Sequence, residues 1–239
     1  MHKLCKAAAW MGYKNLCEGP VSMEIEQAFV EHTSVYGLSY GTKEEYNFRL
    51  GLFAKKDAEI NKINAEEQNF TVGHNFMSSW THHEYKKLLG DRSQTMTHDL
   101  KTTEFSEGAN AVSVDWRTAG AVNPVKNQAQ CGSCWAFAAT AAVESANYIF
   151  NNKELLSLSE QQVTSCDVAC YGCGGGLASL AFQYLETAAQ ELESDYPYTS
   201  GTGTTGNCKW EASLGKVTVA DSLMVTPNNV AQLKAGVAQ

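Results

Sequence analysis

No histidine follows His98 in this chain of 239 residues. All six, His2, His32, His74, His82, His83 and His98, lie in its first part. Chemistry in the later part that needs an imidazole must find it elsewhere. Charge is sparse too: 18% of residues are charged, below the roughly 25% usual for soluble domains. There is no Lys/Arg block, and the net charge is −8, so no nucleic-acid partner is expected. No apolar run approaches the ~20 residues of a membrane span, so no membrane partner is expected either. Cysteine, by contrast, is plentiful. Cys5 and Cys17 lie near the N-terminus, and Cys131, Cys134, Cys166, Cys170, Cys173 and Cys208 follow later. That density points to an oxidising compartment. Residues 1–20 make a poor secretory signal, because Lys3, Lys6 and Lys14 interrupt the apolar stretch. They are expected to be a degenerate signal or a stretch that misrepresents the true start.

Length and a 44% hydrophobic content allow one large domain or two smaller ones. Val21, Ile25, Ala28 and Phe29 recur at helical spacing over residues 21–36, with Glu24, Glu26 and Glu31 on the other side. A second helix starts at Thr42, where Thr42 to Glu45 forms a capping box. Tyr46, Leu50, Phe53, Ile60 and Ile63 carry it to Asn64 or Glu67. On it Glu45 and Arg49 are an i,i+4 pair, and Phe53 and Ile60 share a face. Taken alone, these helices are an ordinary hairpin. Glu84, Tyr85 and Leu88 fit a short helix. Residues 91–110 are polar and aperiodic and read as an exposed linker. Further helices are expected over 180–192 and 228–235, a loop over 200–207 and a strand over 217–219.

The chemistry concentrates between Gln128 and Phe137. Gln128 stands six residues before Cys134, and Cys134 opens the alanine-rich run Trp135 to Ala146. Alanine is the best helix former, so Cys134 is expected at a helix N-terminus, a position that favours thiolate. A thiolate attacking a carbonyl generates an oxyanion. The Gln128 side-chain amide and the Cys134 backbone N–H are the candidate donors for it. Three other readings compete for Cys131 and Cys134. A C-x-x-C redox site needs a βαβ context, which the preceding sequence does not supply. A zinc site drawn from Cys131, Cys134, Cys166, Cys170 and Cys173 lacks paired C-x-x-C knuckles. A structural cysteine pair is the third.

Several motifs together resemble papain-family cysteine protease precursors of the cathepsin L type. Glu45, Arg49, Phe53, Ile60 and Asn64 match the interrupted signature of the propeptide helix, with Lys56 replacing its first Asn. Residues 73–81 are similar to the short strand that follows, with Gly73 and Asn75 matching, and with Met77 and Ser79 where the family has Phe and Asp. Residues 111–128 resemble a mature N-terminus. Leu158 to Cys166, and Gly172-Cys173-Gly174-Gly175-Gly176 with Gly174 in place of Asn, resemble two further family segments, as does Tyr196-Pro197-Tyr198.

The resemblance implies an α+β, papain-like fold with mainly the helical half present, preceded by an α-helical inhibitory propeptide. Residues 21–91 would be the propeptide, 92–110 a linker with the activation cut, and 111–239 an incomplete peptidase domain. It implies disulfides Cys131–Cys173 and Cys166–Cys208, which leave Cys134 free and Cys5, Cys17 and Cys170 unassigned. Gly175 and Gly176 would pair with a substrate backbone, and Leu177 and Ala178 would line the pocket for the substrate's second residue. The small Ala178 predicts tolerance of bulky apolar or aromatic side chains there. No cofactor or metal is implied. The implied partners are protein or peptide substrates and the chain's own propeptide, and the implied location is lysosomal, endosomal or secreted. The sequon Asn69-Phe70-Thr71 fits the secretory route.

In such enzymes the His and Asn partners lie ~130–150 residues beyond the cysteine, which is past Gln239. Three readings follow. The first is a protease zymogen inactive without sequence beyond this chain. The second is a propeptide-like inhibitor or binding protein. The third is a pseudoenzyme.

Overall fold

The computed structural model describes residues 21–66, 69–96, 101–106, 113–151 and 154–238. The readings of residues 1–20 and of much of the linker lie outside them. The chain divides into two compact units, Met1–Lys86 and Lys87–Gln239.

The first unit is a helical hairpin of α1 (Met23–Val35) and α2 (Lys43–Ala65). Ser22 caps α1 by accepting from the Ile25 N–H, and Thr42 caps α2 by accepting from the Glu45 N–H at 3.1 Å. Each cap satisfies a donor the helix start leaves unpaired. The hairpin closes on Phe29, whose ring lies 5.2 Å from Tyr46 and 5.4 Å from Phe53. Phe29 and Phe53 are fully buried, contributing about 2–3 kcal/mol each. Ile60, further along α2, is only half-buried.

Arg49 keeps its expected i,i+4 ion pair with Glu45 and adds a closer partner. Glu45 is 3.7 Å away, whereas both oxygens of Glu84 accept from the Arg49 guanidinium at 2.6 and 2.7 Å. The bidentate geometry favours Glu84. Glu84 also caps the short helix α3 (His82–Lys86): it accepts from the Thr81 N–H at 2.7 Å while its own N–H donates to Thr81 Oγ1 at 3.1 Å. Burial opposes ionisation of Glu84, but Arg49 and Thr81 together hold its carboxyl down at about 2. Residues 73–81 form extended chain and a turn rather than a strand. Nearby, the Asn64 side-chain amide exchanges two 2.8 Å bonds with the Val72 backbone, supplying what a partner strand would.

The second unit is built on α4 (Cys134–Phe150), packed against α5 (Glu160–Cys166) and α6 (Ala178–Leu185). Trp135, Ala139, Val143, Leu158, Val163 and Leu185 form its core. Cys131 is bonded to Cys173 and Cys166 to Cys208. Each bond closes a 42-residue separation, a constraint on the unfolded chain of about 3–4 kcal/mol. The helix expected over 180–192 starts earlier and stops at Leu185. The reason is Gln190, which is fully buried and donates to Thr140 Oγ1 and the Ser159 carbonyl at 2.8 and 3.0 Å. A buried amide must find partners, and reaching these takes the chain out of the helix. Val217 bridges Gln190 but begins no strand. Instead β1 (Lys101–Thr103), inside the stretch read as exposed linker, pairs in parallel with β2 (Leu223–Val225). A last helix, α7 (Val230–Val237), is capped by Asn229.

Candidate active site

Cys134 is the first residue of α4 and carries a free, half-exposed thiol. The helix cap, Ser133, makes no side-chain bond to the helix N–H groups; its hydroxyl instead meets Tyr198 Oη at 2.8 Å. Tyr198 Oη also donates to the Gln128 carbonyl at 2.9 Å. One half-buried phenol therefore fixes the segment carrying Gln128 against the start of the helix carrying Cys134. Burial raises the Tyr198 pKa, so it stays a neutral donor.

A second fastening lies two residues before Gln128. Lys126 Nζ donates to Glu144 on α4 at 2.9 Å, to Glu160 on α5 at 2.7 Å and to the Leu158 carbonyl at 3.1 Å. Both carboxylates are almost fully buried. Burial pushes Glu160 up to about 7, against the pull of Lys126.

The cleft beside Cys134 is occupied by the chain itself. Gln128 Nε2 donates to the Leu88 carbonyl at 3.0 Å and to the Cys131 carbonyl at 2.8 Å. Two residues on, Gly90 lies over the thiol. A Cβ there would stand 3.1 Å from Cys134 Sγ and 2.0 Å from the Gly132 oxygen, so only glycine fits. The Gly90 carbonyl accepts from the Gly176 N–H at 2.8 Å, and the Arg92 N–H donates to the Gly176 carbonyl at 3.2 Å, a parallel bridge centred on Asp91. The Arg92 guanidinium donates to the Gly174 carbonyl from Nε at 2.8 Å and also from Nη2. Gly175 reaches this arrangement with φ +110°, open to glycine and few others. Residues 88–92 thus touch the oxyanion candidate, the nucleophile candidate and the backbone candidate at once.

Leu177 is buried at the start of α6, and Ala178, half-buried, packs with Met96 against the core. Cys170 is a free, buried thiol, pushed up to about 12 by burial and by Asp167. Among the described residues no cluster of three or more His, Cys, Asp or Glu could hold a metal, and no helix is long and apolar enough to cross a membrane.

Tyr198, Lys126, Gly90 and Arg92 carried no assigned role in the sequence reading. Gly90 did leave a signal. Asp91 accepts from the Ser93 N–H at 2.9 Å, and a glycine before such an Asx turn marks a sharp change of direction. Tyr196-Pro197-Tyr198 stands out in the sequence only as a segment; the role of the Tyr198 hydroxyl leaves no local trace, because its two partners lie 65 and 70 residues away.

Residues 110–239 match the profile of papain family cysteine proteases, and residues 29–85 match the cathepsin propeptide inhibitor domain, I29. The chain is 38% identical over 203 residues to the probable cysteine protease RD19D of Arabidopsis thaliana, covering 78% of this chain and 54% of that protein. The chain spans about half the length of the curated relatives it matches. Among solved structures, the recombinant stem bromelain precursor superposes with a TM-score of 0.81 at 30% identity, covering 90% of this chain and 70% of that one. Procathepsin L2 from Tenebrio molitor larval midgut gives 0.79 at 29% identity, with 90% and 72% covered.

Proposed function

The chain belongs to the papain family of cysteine proteases, and from that premise we propose that its Lys87–Gln239 unit carries the nucleophilic half of a cysteine endopeptidase in zymogen form. Cys134 is the nucleophile. Its thiolate adds to a peptide carbonyl, the C–N bond breaks as the amine leaves with a proton, and water hydrolyses the resulting thioester. The Gln128 amide and the Cys134 N–H hold the oxyanion. The observation that carries this reading is the 3.0 Å bond from Gln128 Nε2 to a peptide carbonyl, that of Leu88. The same bond makes residues 88–92 the intramolecular inhibitor.

Substrates are proteins and peptides. Their backbone takes the place of Gly90 and Arg92 on Gly176, and their second residue faces Leu177 and Ala178. No metal or cofactor enters the reaction. The thiol needs a base, and no residue from 111 to 239 is a histidine, so the imidazole comes from outside that stretch. Two disulfides favour a lysosomal, endosomal or secreted location.

Two measurements test this reading. In Gly90→Ala, where an added Cβ would displace the covering segment, a peptidyl chloromethyl ketone should alkylate Cys134 faster with phenylalanine than with glycine at its second residue; no alkylation at Cys134 in that variant would sink the nucleophile assignment. The purified chain should not turn over fluorogenic peptides. Robust turnover that disappears in Cys134→Ala would overturn the need for an outside base.

A further inference from the structure

β2 and α7 grip a piece of the linker in a way the catalytic reading does not use. Lys101, Thr102 and Thr103 pair in register with Leu223, Met224 and Val225. Two residues on, Gln232 reads the backbone of Phe105 on both sides. The Phe105 N–H donates to Gln232 Oε1 at 2.7 Å, and Gln232 Nε2 donates to the Phe105 carbonyl at 3.0 Å. Gln232 is 5% exposed and Phe105 half-buried, so these bonds are partly shielded from water. The Phe105 ring rests on Gly236, where a Cβ would lie 3.2 and 3.4 Å from two ring carbons and 3.4 Å from Val225 Cγ1. Strand addition, a side-chain amide pairing with a backbone, and a glycine-floored aromatic seat are the parts of a peptide-recognition site.

We propose that residues 223–237 form a binding site for an extended peptide ending in an aromatic residue, and that its ligand is the chain's own 101–105 segment. The site is separate from the cleft beside Cys134, where residues 88–92 sit. A second contact of α7 lies downstream: Trp116 Nε1 donates to the Val237 carbonyl at 2.9 Å. The chain is therefore held on both sides of 107–112, within which the expected linker ends. A cut there would leave the proregion docked through Phe105. Release of the proregion then needs this site to let go as well as the peptide bond to break. The inference concerns binding alone and stands whether or not Cys134 is a nucleophile.

The test uses the full chain. In wild type the Phe105 amide should be protected from hydrogen exchange, and chymotrypsin should cut slowly after Phe105. Gln232→Leu removes both amide bonds. It should raise exchange at Phe105 and cleavage after it about tenfold or more, while amides of α4 keep their protection. A labelled peptide with the sequence of residues 101–106 should bind Phe105→Ala, in which the seat is vacated, and bind Phe105→Ala/Gln232→Leu at least tenfold more weakly. Unchanged exchange and cleavage in a folded Gln232→Leu chain, or equal peptide binding by the two Phe105→Ala chains, would overturn the proposal.

Discussion

At the scale of single residues, Arg49 shows how geometry decides between two partners of the same charge. Glu45 is the helical neighbour, but Glu84 takes the bidentate bond and caps α3 with the same carboxylate. Arg49→Ala is expected to destabilise the first unit by about 2 kcal/mol, since it strands a half-buried carboxylate. Glu45→Ala should cost under about 0.5 kcal/mol, as exposed i,i+4 pairs do. Urea unfolding of the two variants checks this, and equal losses would contradict it. The Glu84 carboxyl is held at about 2, below its ordinary 4.5. Its contribution is therefore complete above pH 4.5 and disappears as pH falls towards 2. Arg49→Ala should abolish that acid dependence. A carboxylate 35 residues from its arginine leaves no periodic trace, which explains why the nearer Glu45 is the partner the sequence suggests.

At the scale of elements, the segment bearing Gln128 is positioned by Lys126 and Tyr198 rather than by a sheet. Lys126→Met would leave Glu144 and Glu160 buried without their cation, at a cost of about 3 kcal/mol near neutral pH. Burial pushes Glu160 up to about 7, so it takes up a proton below that pH and the loss should shrink at pH 5. A penalty unchanged between pH 7.5 and 5 would argue against this cluster. Helices α1, α2 and α4 were legible because caps, apolar spacing and the alanine run are local signals. The same holds for Gln128 and Cys134, whose spacing and helix start can be read directly. The end of α6 was not legible, because buried Gln190 finds its partners 50 and 31 residues back. The β1–β2 pair was not legible either: its strands are three residues each, polar on one side, and joined only through the fold. The residues covering the cleft fell in or next to a stretch whose composition reads as linker, and only tertiary pairing with Gly174 and Gly176 orders them.

At the scale of the whole molecule, the buried titratable groups of the two units are expected to respond to acid in opposite senses between pH 7 and pH 4.5. In the first, burial and the neighbouring His74 lower the pKa of His32. Its contribution is complete above about pH 6.5 and falls as pH drops, and that of Glu84 follows below pH 4.5. In the second, burial raises Glu160, Glu193 and Asp167. Their contributions are complete in acid and are lost as pH rises, for Glu160 through about 7. Hydrogen-exchange unfolding profiles should show the Met1–Lys86 unit weakening from pH 7 to pH 4.5 while Lys87–Gln239 holds or gains; parallel weakening of both would contradict this. The central claim is that Cys134 is a reactive thiol covered by the chain's own backbone at Gly90. Site-resolved iodoacetamide alkylation tests it most directly, with buried Cys170 as the internal control. Cys134 should react slowly in the intact chain and about tenfold or more faster in Gly90→Ala, where the added Cβ lifts the segment off the thiol, with Cys170 silent in both. A Cys134 that reacts at the same rate in the two proteins, or that is found in a stable disulfide, would contradict the account.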